Sequence, residues 1–467
     1  MYRRLLSLLF VLVLPGMHAA GMAVQADSVT IGNISFSGNR STKTSILRRE
    51  LLFSEGDRLG MDQFAALLEE TRQNMLNLSL FNFVDAESSF RSSGDTVDIH
   101  FRCTERWYLW PFPVIEMADR NFNAWWQKGD MSRVTYGFYL QKDNFRGRRE
   151  KIILNLKTGY DRSYGLTYEI PYLTRQQNLG LSLSSFYIKN HSVPYDSYRN
   201  KSLEIKDRDF FLRTRFVNTL RLSFRKGIHH YHYLSLSHSR YELSDTLFKL
   251  NPDYSWSDDK KPGFFTLTYR YKADFRDYQP YPLTGYYLEL QLNKDGLDLT
   301  GQSGPNTLGA RCSVKKYWKL FHDAYFASGF TAKVSRQEKE AWFLMKGLGY
   351  DNDYVRGYEY YVIDGQDFFL IRHDFRYALI KTKVHQFTFL PEAIGKIHYT
   401  VYLSLYTDWA YVHAARKDKL NFLADRWLMG HGAGLNIVTY YDKVFRLEFS
   451  RNHMGETGFF VSMVAAL

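Results

Sequence analysis

The chain has 467 residues, 45% hydrophobic and 17% aromatic, with 61 Lys and Arg against 49 Asp and Glu for a formal charge of +12. A mean hydropathy of −0.38 excludes a bundle of membrane helices, whereas 35 Tyr and 35 Phe suit many short strands with one apolar and one wet face. The Lys and Arg are scattered, not gathered with aromatics on one module, which argues against nucleic acid and for anionic lipid headgroups or a solvated lumen.

Residues 1–26 read as a secretory signal. Arg3 and Arg4 form its positive end, and the apolar run Leu5–Leu14 is too short to span a bilayer as a mature helix. Cleavage fits after Ala20 or after Ala26, and with no cysteine nearby a lipoprotein anchor is not expected. No later apolar run reaches the ~18 residues of a membrane helix. If the exported chain spans a membrane, it does so with strands closed into a barrel, the form that satisfies strand backbone groups in hydrocarbon.

Residues 27–104 read as a βααββ unit of α+β type. Val29–Phe36 is a strand, followed by the turn Ser37-Gly38-Asn39-Arg40. A helix over Thr42–Phe53 gathers Ile46, Leu47, Leu51 and Leu52 on one face, and Gly56 ends that element. A second helix over Met61–Leu78 carries the stripe Phe64, Leu67, Leu68, Thr71 and Met75, with Asp62 at the positive end of its dipole. Phe81–Phe90 and Thr96–Cys103 then form a hairpin. In the second strand Val97, Ile99, Phe101 and Cys103 alternate with polar residues, so one face is buried on the helices. The Gly38-Asn39 turn and the Phe81-Asn82-Phe83-Val84 element make this unit resemble a polypeptide-transport-associated (POTRA) domain.

Residues 105–130 read as a linker rich in Trp and Pro, with Trp107, Trp110, Trp125 and Trp126 beside Pro111 and Pro113; the prolines keep it from joining a central strand. From residue 131 to 467 the chain alternates with period two. Phe210, Leu212, Phe216, Leu220, Leu222 and Phe224 share one parity against Arg213, Arg215 and Arg221. Tyr286, Leu288, Leu290 and Leu292 oppose Glu289, Gln291 and Asn293, and Phe445, Leu447 and Phe449 oppose Arg446, Glu448 and Ser450. An apolar parity this extensive exceeds the needs of one soluble core. The expected architecture is an all-β transmembrane barrel of sixteen antiparallel strands, at roughly 22 residues per strand and loop.

Landmarks along this barrel are Asp143-Asn144-Phe145-Arg146-Gly147-Arg148, Tyr168-Glu169-Ile170-Pro171-Tyr172, Asp274-Phe275-Arg276-Asp277 and Pro282-Leu283-Thr284-Gly285-Tyr286. To these are added Val355-Arg356-Gly357-Tyr358 and Tyr406-Thr407-Asp408-Trp409-Ala410. With the POTRA-like unit, they make the chain resemble the BamA/TamA superfamily of outer-membrane assembly and translocation barrels. The resemblance implies that the loop holding Val355, Arg356, Gly357 and Tyr358 folds back into the lumen, where its arginine meets a carboxylate of the inner wall. Asp408 shares parity with Tyr402, Ser404 and Tyr406, and Asp374 with Arg372 and Arg376, so both face inward. Asp408 is the expected partner of Arg356 and Asp374 a second one. Without the family pattern, a solvent-exposed loop arginine would be the default.

The resemblance also implies a weak seam between the first strand, placed at about Arg133–Gln141 with Val134, Tyr136, Phe138 and Leu140, and the last, Phe459–Leu467. In the last strand Phe459, Val461, Met463, Ala465 and Leu467 form the outward set, with Leu467 where a terminal aromatic is usual. Ala410 stands where the family pattern has glycine. A single POTRA unit, with fewer docking sites, fits a specialised paralogue.

No nucleophile elbow, zinc-protease motif or phosphate-binding loop appears, so no enzyme activity and no cofactor are expected. His230 and His232 share a strand face without a convincing third ligand, and read as a polar turn or girdle. Cys103 and Cys312 read as unpaired packing residues. Three functions fit: assembly of other outer-membrane proteins, translocation of one secreted partner, or a passive or structural pore. The expected partners are client polypeptides, outer-membrane lipids including anionic lipopolysaccharide, and periplasmic or lipoprotein accessory factors.

Overall fold

The computed structural model describes residues 28–92, 95–117, 134–299, 304–338, 341–350, 353–386, 396–414, 420–439 and 443–465. The signal segment lies outside them. The N-terminal domain comprises β1 (Ser28–Ser37), α1 (Thr44–Arg48), β2 (Arg58–Gly60), α2 (Met61–Asn77), β3 (Phe81–Phe90) and β4 (Thr96–Glu105). Its sheet has the order β2-β1-β4-β3, with β1 parallel to β4 and the other pairs antiparallel. Ile31, Ile34, Leu47, Phe64, Met75, Ile99 and Phe101 form the core. The alternation of β4 and the stripe of α2 both turn toward it. The first helix is one short turn instead of the expected twelve residues. Leu51, Leu52 and Phe53 reach the core from non-helical backbone, which releases Glu50 to point out of the domain.

The second sheet has sixteen strands. In chain order these are β5 (Leu109–Met117), β6 (Val134–Phe145), β7 (Glu150–Gly159), β8 (Arg162–Ile170) and β9 (Leu179–Asn190). After the separate hairpin β10 (Ser192–Tyr198) and β11 (Lys201–Lys206) come β12 (Arg213–Lys226), β13 (His230–Leu243), β14 (Gly263–Asp274), β15 (Gly285–Leu297), β16 (Thr307–Phe321) and β17 (Ala324–Gln337). The small pair β18 (Lys346–Leu348) and β19 (Ile363–Asp364) precedes β20 (Asp367–Gln386), β21 (Lys396–His413), β22 (Trp427–Thr439), β23 (Lys443–Asn452) and β24 (Thr457–Ala465). Every neighbour is antiparallel and, hairpins aside, consecutive. The outward set, including Leu220, Leu222, Leu290, Leu292, Leu405 and Phe449, is exposed, and the facing parity is mostly covered. That is the pattern of a wall greasy outside and polar inside.

Two expectations are corrected here. Residues Leu109–Met117, read as linker, are the first strand of the sheet and pair with β6 over nine positions. Pro111 and Pro113 exclude a central strand but not an edge strand, and β5 is an edge. The strand carrying Val134, Tyr136, Phe138 and Leu140 is therefore second, paired on both sides. Leu212 is also not part of the outward set. It precedes β12 and is buried with Val193, Tyr254, Trp256 and Trp342 in a cap of loops at the end far from the N-terminal domain.

That cap includes the β10–β11 hairpin and the short helix α3 (Asp245–Leu250), and it reaches across the opening. The Leu423 N–H donates to Asn200 Oδ1 at 3.0 Å, and the Asn200 N–H to Asn421 Oδ1 at 2.7 Å. At the other end the N-terminal domain sits on the barrel turns. Arg225 donates to both Glu50 oxygens at 2.5 and 2.6 Å, with both side chains buried. Arg149 reaches the Leu78 carbonyl at 3.2 Å and Asn77 the Asp277 carbonyl at 3.1 Å. Beneath the domain lies a cavity of about 950 Å³ lined by residues that include Glu50, Arg149, Arg221, Arg225, Lys272 and Arg276.

Candidate functional site

The loop between β17 and β20 starts and ends at the β18–β19 pair, so its stem is pinned by a ladder. Between them the chain turns inward. Val355 and Tyr358 are buried with Leu348, Ile363, Leu370, Val412 and Leu428. Gly357 takes φ +93°, a left-handed value that other residues adopt only with strain. The approach to the wall is close enough that a Cβ at Gly430 of β22 would lie 1.8 Å from the Arg356 carbonyl oxygen. Glycine is the one residue that fits there.

Arg356 meets Asp408 of β21 in a two-pronged contact. Its Nε donates to Oδ2 at 2.9 Å and its Nη2 to Oδ1 at 2.5 Å, while the Arg356 backbone N–H also donates to Oδ2 at 3.0 Å. Nη2 reaches the His373 carbonyl at 3.4 Å. The guanidinium lies over the Tyr406 ring, 3.8 Å from its centroid. Asp408 is 0% exposed. Burial opposes the Arg356 charge, but Asp408 foremost, with Asp374 and Glu448, outweighs it and holds the guanidinium pKa above its ordinary value. Such a paired, desolvated contact fixes orientation as well as adding energy.

Asp374 does not hydrogen-bond Arg356. Its Oδ2 accepts from Arg376 Nε at 3.0 Å, so it acts on Arg356 only through space. The nearer second carboxylate is Glu448 of β23, with Oε1 3.7 Å from Arg356 Nη1. Sequence reasoning passed over Glu448, although it is the one carboxylate on the inward parity of that strand. Further ties hold the loop. Asn452 Nδ2 donates to the Gly357 carbonyl at 3.0 Å, Arg311 Nη2 to Asp353 at 2.8 Å, and the Tyr358 hydroxyl contacts His453 Nδ1. Glu359 accepts the Gly357 N–H at 2.9 Å. Burial, with Glu448 and Asp408 nearby, pushes its carboxyl up to about 7.

His230 and His232 bond the hydroxyls of Tyr271 and Tyr269, each at 2.8 Å, as members of an aromatic-polar girdle. Cys103 and Cys312 are free thiols.

The two edges of the large sheet are β5 and β24, and no ladder joins them among the described residues. Phe459 and Val461 point outward, 63% and 66% exposed. The side chain of Met463 and all of Leu467 lie outside the described residues.

Residues 144–449 match the Omp85 superfamily domain, and residues 29–106 match the surface antigen variable number repeat, POTRA. The chain belongs to the Omp85 superfamily. Among solved structures, BamA from Haemophilus ducreyi lacking POTRA domains 1–3 aligns over 93% of this chain and 84% of its own, at 16% identity and a TM-score of 0.52. CdiB from Escherichia coli aligns over 93% and 75%, at 12% identity and a TM-score of 0.53. At these identities the likeness is one of fold: a POTRA region followed by the sixteen-stranded sheet of an Omp85 barrel.

Proposed function

We propose that this Omp85 protein resides in the bacterial outer membrane with its POTRA domain in the periplasm, and that it helps client outer-membrane proteins insert through the gap between β5 and β24. One observation carries this reading. The lumen is occupied by the Arg356 loop, capped at one end and covered by the POTRA domain at the other, while among the described residues no ladder joins the two edges of the side wall. An unpaired strand edge is a template for an incoming strand. A path through the lumen requires three seated elements to leave; a path through the wall requires none to leave.

The work is non-covalent. The Arg356–Asp408 contact serves as a lock that keeps the loop against β20–β23, away from the gap. Client polypeptides are the main partners, with anionic lipopolysaccharide around the wall and accessory factors at the POTRA domain.

Depletion in the parent bacterium, followed by quantitative proteomics of the outer membrane, tests this. Loss of several barrel proteins is the expected result. Loss of one secreted protein alone supports translocation of a dedicated partner, and unchanged composition with altered solute leakage supports a pore.

A further inference from the structure

The cavity beneath the N-terminal domain is strongly basic. Nine of its lining residues are Lys or Arg, and four are Asp or Glu. Its roof belongs to the domain, with Glu50, Asn74 and Leu78, and its walls mostly to the lumenal face of β6–β14. Strand alternation dictates the lining. On β12 it turns Arg221 and Arg225 inward, and sets Arg221 between Ser182 of β9 and Ser235 of β13. Tyr231 and Tyr233 of β13 face Lys272 and Arg270 of β14. The Arg270 guanidinium lies 4.9 Å from the Tyr233 centroid, and that of Arg225 5.2 Å from the Tyr231 centroid. Arg149 enters from the β6–β7 turn, so four arginines, at 149, 221, 225 and 270, act together on the Tyr233 hydroxyl.

The carboxylates do not cover this charge. Glu50 is spent on Arg225. Asp274 is shared by Arg276 at 2.6 Å and Lys272 at 3.1 Å. Arg270 has Glu289 only at 3.9 Å. Arg149 donates to the Leu78 carbonyl and the Tyr172 hydroxyl, and Arg221 to the Ser235 hydroxyl at 3.2 Å. Like charges in a walled space repel with less screening than at a surface. The roof adds a separate observation. Asn74 is 7% exposed, yet its Nδ2 has no hydrogen-bond partner among the described residues. A buried donor left unpaired is costly. An acceptor-rich anion between roof and wall satisfies both.

We infer that this chamber binds a phosphate-bearing ligand, held by Arg221 and Arg270 from the wall, Arg149 from the rim and the Asn74 amide from the roof. A phosphate monoester concentrates a charge of about −1.5 to −2 and three acceptor oxygens on one centre, which matches arginines gathered around one tyrosine. Guanidinium forks bind such a group in two-pronged fashion. An extended acidic peptide instead spreads its carboxylates along the chain and to alternate faces. The volume of about 950 Å³ is that of a small-ligand site. The cavity also touches Trp110 and Phe112 of β5 and Lys443 of β23, close to both edges of the large sheet. A lipid headgroup from the bilayer and a soluble phosphate from the periplasm therefore both have a route in. Occupation of the chamber does not depend on where clients insert.

The test uses the purified full-length protein in phosphatidylcholine nanodiscs. One probe is inorganic pyrophosphate, followed by calorimetry. The other is phosphatidic acid as a minor disc component, with native mass spectrometry of the lipid that stays bound on release. Pyrophosphate should bind, and Arg221→Gln and Arg270→Gln should each weaken it by about tenfold, the loss of one charge-assisted contact. Asn74→Asp should weaken it at least as much, because a carboxylate on the roof repels the ligand. Arg215→Gln, on β12 but outside the chamber, should leave binding unchanged. Retention of phosphatidic acid that pyrophosphate displaces identifies a headgroup as the source; pyrophosphate binding without that retention identifies a soluble phosphate. Binding of neither probe overturns the inference, as does binding that Arg215→Gln weakens as much as Arg221→Gln, or that none of the chamber substitutions weakens. Hexa-aspartate bound as tightly as pyrophosphate overturns the choice of phosphate.

Discussion

Replacing Arg356 by alanine probes the loop contact most sharply. The substitution removes two charge-assisted bonds to Asp408, a bond to the His373 carbonyl and the stack on Tyr406. It leaves Asp408 fully buried. Breaking a buried pair by deleting one partner costs about 3–5 kcal/mol. Two features place this case near the lower end. The backbone N–H at residue 356 still bonds Asp408, and the Arg372 guanidinium, 3.7 Å away and partly exposed, can swing toward it. About 3 kcal/mol of loop seating is the expected loss. Chymotrypsin cleavage at Tyr358, 2% exposed in the seated loop, reads it: the folded barrel should become cleavable there while its sheet content is unchanged. Asp374→Asn, which touches no bond to Arg356, should cost far less. A loop that stays protected in Arg356→Ala, with a stability change under about 1 kcal/mol, refutes the argument that a desolvated charge pair seats it.

Three further outcomes follow from the same geometry. Gly430→Ala should unseat the loop as Arg356→Ala does, because its Cβ would fall 1.8 Å from the Arg356 carbonyl; hydrogen exchange across residues 353–362 measures this. Glu50→Ala strands Arg225, and at about 3–5 kcal/mol should loosen the POTRA domain from the barrel mouth, read as faster exchange at residues 226–229. The third concerns pH. The Glu359 carboxyl, at about 7 in the seated loop against an ordinary 4.5, binds its proton more tightly when seated. Seating is then strongest below the ordinary value and weakens as pH rises toward 7. Between pH 8 and 5.5 the gain is about 2 kcal/mol at 1.36 kcal/mol per unit, and Glu359→Gln should flatten the profile.

Much of the architecture is legible because membrane strands obey one period. Parity alone put Asp408 and Asp374 on the inner wall and Leu220, Leu292 and Phe449 on the outer. The stripe Phe64–Met75 marked α2 for the same kind of reason. Parity carries no information on which inward group meets which, so Glu448, already placed on the polar parity, was not paired with Arg356, and Asp374 was credited with a bond it makes to Arg376 instead. The Leu109–Met117 strand was hidden by a rule applied one step too far. Proline is barred from a ladder only where its nitrogen faces a neighbour, and Pro111 and Pro113 face none among the described residues. The shortening of the first helix was equally hidden: Glu50, just past its end, pairs with Arg225, 175 residues away in sequence, a contact that no local pattern announces.

The claim on which the functional account turns is that the β5–β24 boundary must open. Cysteine pairs joining Ile115 to Phe459 or Val461, in a protein with Cys103 and Cys312 replaced, allow it to be tied shut in membrane vesicles that assemble newly made barrel proteins. The account predicts that oxidation stops assembly and that a reductant restores it. Undiminished assembly with the boundary demonstrably cross-linked contradicts it.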